Sequence, residues 1–381
     1  MFAGPLSAHG NPVFIEQFTT DAMRVGGIAI PADTANALII EGSAKSEGAL
    51  TRSPDGRLVV LAGYQITLAN AAALDSTLAD AGAAAVPRAL GVLDVSSAFA
   101  LAGVTTEQFG GNNMRSGATD GRGNYWGAGA ASGTFYFGSG PANIVQALVA
   151  NTTVIQDLGG DLYFSASKGA PGIWKIAGTP TVPAPVMMFL NSGSESSPVG
   201  FAFNGDFTIA YVADDSMAGN AGIQRWDLTA GAWSRTYAFT ALTNVGARGI
   251  AVDFSKPHPV IYATTAETVA NRLVSITDNG ASSSLTTLAT AGANQLFRGI
   301  AFAPSAGLAP EFIGAIQTPD GLKLTWTTLL NRSYTLEYTA NLLNPGWHTV
   351  TNLTATSPVL TATDPTAPAG ANRFYRLVVG P

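Results

Sequence analysis

Short apolar runs recur along most of the chain, each followed by a Gly, Asp or Asn turn and a second run of similar length. "EGALTRSPDGRLVVLAGY" (47–64), "NNMRSGATDGRGNYWGAG" (112–129), "TVIQDLGGDLYFSAS" (153–167), "SPVGFAFNGDFTIAYVADD" (197–215) and "ARGIAVDFSKPHPVIYATT" (247–265) all have this form. Runs this short, rich in β-branched and aromatic residues and punctuated by turn formers, predict strands paired as hairpins. Two further strands follow most pairs, as in "GIWKIAG" then "APVMMFLN", or "RLVSITDNG" then "SLTTLATAG". The repeating unit is therefore four antiparallel strands. Self-similarity at one period signals a repeat architecture, and four-stranded units repeated around a ring describe a β-propeller.

The string R-G-I-A occurs twice, in "GARGIAVDFS" (246–255) and "LFRGIAFAPS" (296–305). It reads as the first, innermost strand of two successive units, where small residues suit crowding near an axis. The second copy lacks the three strands that should follow it. Three apolar runs near the N-terminus, 12–20, 24–31 and 37–43, are expected to supply them, closing a ring of six blades; seven is the alternative if 12–43 forms its own unit. The Ala-rich segment 68–87 interrupts the spacing after the first unit; its alanines could form a short helix, and it reads as a loop excursion.

The rhythm changes after the ring, giving expected domains of 1–308 and 309–381. The tail alternates as strands with turns at "PDG" and "NPG". Its expected core is Leu324, Trp326, Leu336, Trp347 and Tyr375. Through "LTW", "YTLEYT", "GWHTV" and "FYRLV" the tail resembles the small fibronectin-like or immunoglobulin-like β-sandwich at the C-terminus of many secreted bacterial proteins. That resemblance implies spacing, cell-surface or matrix attachment, or weak glycan contact.

Composition narrows the function classes. The chain has 381 residues, of which 46% are hydrophobic and 12% charged, too apolar for a disordered protein. It holds no cysteine, which excludes disulfides, thiol nucleophiles and cysteine-metal sites. A net charge of −6 without a basic run argues against nucleic-acid binding. No apolar run approaches the ~20 residues of a transmembrane helix. The start lacks a basic and then apolar leader; low charge and abundant Thr, Ser, Gly and Ala suggest a secreted, periplasmic or surface protein whose leader has been removed.

In a propeller, the starts of the inner strands and the ends of the second strands gather at one face. That rule collects Glu47, Asn112, Asn113, Arg248 and Arg298 from strand starts, and Tyr64, Lys168, Asp214, Asp215 and Glu267 from strand ends. Arg115, inside an inner strand, points toward the channel. Converging guanidiniums suit a carboxylate, phosphate or sulfate, because the planar fork binds such groups bidentately. Alternatively each arginine pairs with Glu47, Asp214 or a neighbouring carbonyl and staples the ring. Adjacent Asp214 and Asp215 suit a hard cation such as Ca²⁺, or else a capped turn. His9, His258 and His348 are too scattered for a zinc site or a Ser-His-Asp triad.

The strings "SEGALTRSPDGRLVVLAGY", "GNNMRSGATDG" and "FRGIAFAP" resemble those of a group of secreted bacterial β-propellers, and that resemblance brings no activity with it. More distantly, a six-bladed ring resembles propeller phytases and lactonases, which implies Ca²⁺ and acidic side chains at the top. Three functional expectations follow. The first is binding of a small anion or acidic glycan by Arg115, Arg248, Arg298, Asn112, Asn113 and Tyr64. The second is metal-assisted hydrolysis of phosphoesters or lactones, with Asp214, Asp215 and Glu47 as catalytic or metal-holding groups. The third is a structural surface or matrix protein with neither property.

Overall fold

A computed structural model describes residues 5–130, 133–138, 140–216, 221–305, 310, 312–328, 332–355, 359–367 and 372–380. The chain forms two compact units: Met1–Ser53 with Arg57–Pro304, and Pro54–Gly56 with Ser305–Pro381. Both are built from antiparallel strands. Among the described residues no helix is long and apolar enough to cross a membrane.

Among the described residues the first unit contains five four-stranded sheets, each a meander whose strands pair in chain order. Their inner strands are Leu50–Arg52, Met114–Thr119, Thr152–Leu158, Pro198–Phe203 and Ala247–Asp253. Each pairs with the second strand expected from its hairpin: Val59–Tyr64, Tyr125–Gly129, Asp161–Ala166, Ile209–Asp214 and Val260–Thr265.

Polar groups stitch neighbouring units together. Thr51 donates to the carbonyl of Gly117, and the N–H of Ile155 donates to Ser116 at 3.2 Å. Gln156 donates to the carbonyl of Phe201 at 2.9 Å, and Thr264 to that of Arg298 at 2.6 Å. The glycine of the repeated string is fixed by this crowding. A Cβ on Gly249 would lie 2.9 Å from the carbonyl oxygen of Arg298, and one on Gly299 would lie 2.2 Å from the amide of Leu50. No side chain fits at either point.

The strands expected to complete a sixth blade are arranged differently. Phe14–Phe18 and Arg24–Ala29 form a two-stranded ribbon. The third N-terminal run does not join it. Ile39 bridges to Tyr64 and Ile40 to Asn11, with Leu38 and Ile39 fully buried. Residues 296–303, the second R-G-I-A segment, belong to no strand. The segment 68–87 is also more ordered than a loop. Thr67 caps a short helix, Leu68–Ala72, by accepting from the amide of Asn70.

The second unit has two three-stranded sheets. Phe312–Thr318, Gly321–Thr327 and Val359–Asp364 form one; His348–Thr354, Ser333–Thr339 and Phe374–Val379 form the other. Leu324, Trp326, Tyr334, Leu336 and Ala355 make a core shared by both, with Tyr375 and Leu377 packed against it. Trp347, expected in that core, is instead half-buried beneath the guanidinium of Arg376, 4.1 Å from its ring centre.

Candidate functional site

The starts of the inner strands and the ends of the second strands meet, and most of the residues singled out by that rule come together there. At the centre is Glu47, 2% exposed. Its Oε1 accepts from the hydroxyl of Tyr64 and from Nδ2 of Asn113, both at 2.5 Å, and its Oε2 accepts from the amide of Glu41 at 2.8 Å. Burial pushes the Glu47 carboxyl up to about 7, against the pull of the three hydrogen bonds. Tyr64 is fully buried, so it supports Glu47 and does not face a ligand. Burial, then the Glu47 charge, pushes its phenol well above the usual range.

Each arginine reaches across to a neighbour. Arg298 donates through Nη1 and Nη2 to the carbonyls of Ala44 and Gly42. Arg115 donates through Nη1 to Asn151 Oδ1 at 2.9 Å and to the carbonyl of Thr152 at 3.2 Å. Arg248 donates through Nε to Asp215 Oδ2 at 3.2 Å. These bonds are staples, one of the two roles anticipated for the arginines.

They leave donors over. Both terminal nitrogens of Arg248, Nη2 of Arg115 and Nε of Arg298 make no hydrogen bond within the described residues. The charges also feel one another. Burial and then the Arg248 charge push Arg298 down to about 10, with Glu47 opposing. Burial lowers Arg115, with the Glu47 and Asp215 charges opposing. On the axis lies a cavity of about 150 Å³ whose lining includes Lys45, Glu47, Gln156, Arg248 and Arg298. A water needs about 10–15 Å³ of such space, so the cavity has room for several waters or one small oxyanion.

Of the other candidates, Asp215 stays at this centre through Arg248 and the rest fall away. Asp214 is fully buried and accepts from Ser196 Oγ at 2.6 Å, Ser197 N at 3.1 Å, Ser216 N at 2.9 Å and Gln224 Nε2 at 2.9 Å. It is a cap, with its lone pairs taken by donors. Asp215 pairs with Arg248 and accepts from Ser197 Oγ at 2.7 Å. This donor-saturated pair does not fit Ca²⁺, which needs several free oxygens converging on one point. Among the described residues no group of three or more His, Asp or Glu side chains is placed to hold a metal ion.

Asn112 turns back to the carbonyl of Gly110 at 3.2 Å, Glu267 pairs with Arg272 at 2.7 Å, and Lys168 is exposed. His258 contacts the carbonyl of Asp278 at 3.0 Å, and His348 packs on Tyr338.

Sequence reasoning missed Arg88. It is fully buried, lies 5.0 Å from the Tyr64 ring centre, and donates to the carbonyls of Val86, Leu78, Ala79, Ala81 and Asn112. It pins the 68–87 excursion beneath the Glu47 cluster. Its place at the start of a third strand, outside the two positions that collect a face, hid it.

No protein-family model matches the chain, and no curated protein does. Among solved structures it is similar to a putative 6-phosphogluconolactonase from Bacteroides uniformis, at 12% identity over 93% of this chain and 100% of that one, with a TM-score of 0.44. It is also similar to a periplasmic gluconolactonase from Pseudomonas aeruginosa, at 12% identity over 93% of this chain and 99% of that one, with a TM-score of 0.39. The β-propeller domain of Cps50 from Myceliophthora thermophila is similar at 7% identity over 64% of this chain and 86% of that one, again with a TM-score of 0.39. At that level of similarity none of them bears on what this chain binds or converts.

Proposed function

We propose that the first unit is a six-position β-propeller that binds a small anion on its axis, between Arg248 and Arg298. The observation that supports this most is that guanidinium N–H groups of Arg248 and Arg298 make no hydrogen bond within the described residues and border a small cavity whose lining carboxylate, Glu47, forms no ion pair there. Lys45, Arg52, Arg248 and Arg298 line the cavity with a Glu47 that is only partly ionised near neutrality, and Asp215 pairs with Arg248, so the centre carries net positive charge and suits an anion. The volume admits a phosphate, sulfate or carboxylate group. For an acidic glycan it admits only the charged tip, not a sugar ring stack. The tail is read as a fibronectin-like or immunoglobulin-like spacer and the whole as a secreted or surface protein.

The test is the melting temperature with phosphate, sulfate and gluconate, for the native protein and Arg248→Ala. A ligand at 100 times its Kd adds about 2.7 kcal/mol, and each charge-assisted hydrogen bond contributes roughly 1.5–3 kcal/mol. Arg248→Ala should therefore weaken binding by at least tenfold, and added salt should weaken it in the native protein. No shift with any of the three anions would remove the reading and leave a structural role.

A second reading, hydrolysis of a small lactone or phosphoester, has one observation in its favour. A carboxyl that titrates near 7 is suited to general acid–base work. Asp214 and Asp215 drop out of that reading, and Glu47 alone carries it. Release of acid from gluconolactone that Glu47→Gln abolishes, with anion binding retained, separates it from simple binding.

A further inference from the structure

The repeated string behaves differently in its two settings. In Ala247–Asp253 the residues Arg248-Gly249-Ile250-Ala251 lie in a ladder, with Ile250 opposite Ala263 and Ala251 opposite Tyr262. In the second copy Arg298-Gly299-Ile300-Ala301 lie in none. Among the described residues no hydrogen bond reaches the backbone of residues 299–303, although residues 299–302 are half-buried. The same residues thus form a ladder where a second strand is present and none where it is lacking. Every complete sheet of the ring has four strands; the sixth position has this segment and the two-stranded ribbon, because run 37–43 is used elsewhere.

The gap is a cleft of about 750 Å³, lined by residues of the segment and of the ribbon. The unpaired stretch 299–303 is five residues long, so its complement is a strand of about five residues, about 16 Å at 3.3 Å each. Leu50, Leu61, Leu273, Leu288 and Phe18 give apolar walls. The charged pair on the ribbon, Glu16 and Arg24, neutralises itself. Phe14–Phe18 pairs on one edge only, with Arg24–Ala29, leaving its other edge unpaired.

We propose that this cleft accepts one extended, uncharged strand of about five residues from a partner protein, completing the sixth sheet by backbone pairing to residues 299–303. Unpaired, half-buried N–H and C=O groups call for another backbone, and strand addition is an established mode of peptide recognition. The fifth sheet shows what fits: Pro259–Thr265, PVIYATT, supplies the strand that pairs with the first copy of the string.

The test uses the full chain and a fluorescently labelled synthetic PVIYATT peptide, read by anisotropy and by amide hydrogen exchange. The expected result is saturable binding, slowed exchange at residues 299–303 only when peptide is present, and at least tenfold weaker binding by Ile300→Pro, which lacks the N–H. An unchanged melting temperature and unchanged far-ultraviolet circular dichroism of Ile300→Pro show that it folds. Three results overturn the proposal. One is no binding, or binding without added protection. Another is full protection of these amides in the free protein, which means the ribbon already pairs with them. The third is protection that rises with protein concentration alone, which identifies a second copy as the occupant.

Discussion

Replacing Glu47 with Gln isolates the electrostatics of the axial centre. Burial raises this carboxyl from 4.5 to about 7. The folded state therefore holds its proton where the unfolded state has released it. The stability present below the unfolded value, near 4.5, is lost progressively as pH rises, and the loss levels off above the folded value, near 7. At 1.36 kcal/mol per pH unit the loss reaches about 3 kcal/mol by pH 8. Glutamine carries no charge, so it escapes that loss. It also has only one acceptor oxygen where Glu47 accepts from three donors, so Tyr64, Asn113 or the Glu41 amide loses a partner, a penalty of about 1–3 kcal/mol at all pH values. Glu47→Gln is therefore less stable than the native protein at pH 5 and equal or more stable at pH 8. Urea unfolding of both proteins at pH 5, 6, 7 and 8 measures this. Asp157, which burial also raises to about 7, titrates in both proteins and cancels in the difference. A difference that stays constant from pH 5 to pH 8 refutes the burial of an ionisable Glu47.

Other consequences follow from single contacts. Gly299→Ala places a Cβ against the Leu50 amide and lowers stability by about 1–3 kcal/mol, whereas Gly205→Ala, with nothing within 4 Å, shifts the melting temperature far less. Arg88→Leu leaves several buried carbonyls without a donor and lowers stability by at least 3 kcal/mol, read by calorimetry. Adding millimolar Ca²⁺ to chelator-treated protein leaves the melting temperature unchanged, because Asp214 is saturated by donors; a rise of several degrees contradicts that assignment. Phe207 holds φ at 56° with its ring stacked 5.5 Å from both Tyr163 and Phe203. Phe207→Gly relieves the backbone and removes the stacking, for a net loss of about 2 kcal/mol in urea unfolding.

The ring was legible because its units are local. A hairpin declares itself within about twenty residues, and the turn between Arg52 and Val59 or between Leu158 and Asp161 lies where the Gly and Asp residues stand. The convergence of Glu47, Asn113, Arg115, Arg248 and Arg298 was legible for the same reason, since strand polarity alone decides which ends meet. What each does there was not. Whether Arg298 donates to Gly42 and Ala44, or Asp214 accepts from Ser196 and Gln224, depends on contacts between segments apart in the chain. Run 37–43 has the composition of a strand, yet tertiary burial of Leu38 and Ile39 between Asn11 and Tyr64 overrides that pattern. Trp347 reads as core by hydrophobicity and sits under Arg376 because an aromatic face also satisfies a guanidinium. Arg88 carries no signature beyond its charge; only the folded excursion shows why a cation is buried there.

The most direct measurement is anomalous diffraction from crystals soaked in selenate, a tetrahedral dianion that stands in for phosphate or sulfate. The account predicts a selenium peak in the axial cavity, its oxygens within hydrogen-bonding distance of the free terminal nitrogens of Arg248 and of Arg298 Nε, and no peak there in Arg248→Ala. A cavity holding only water, with both terminal nitrogens of Arg248 turned onto Asp215, would contradict it.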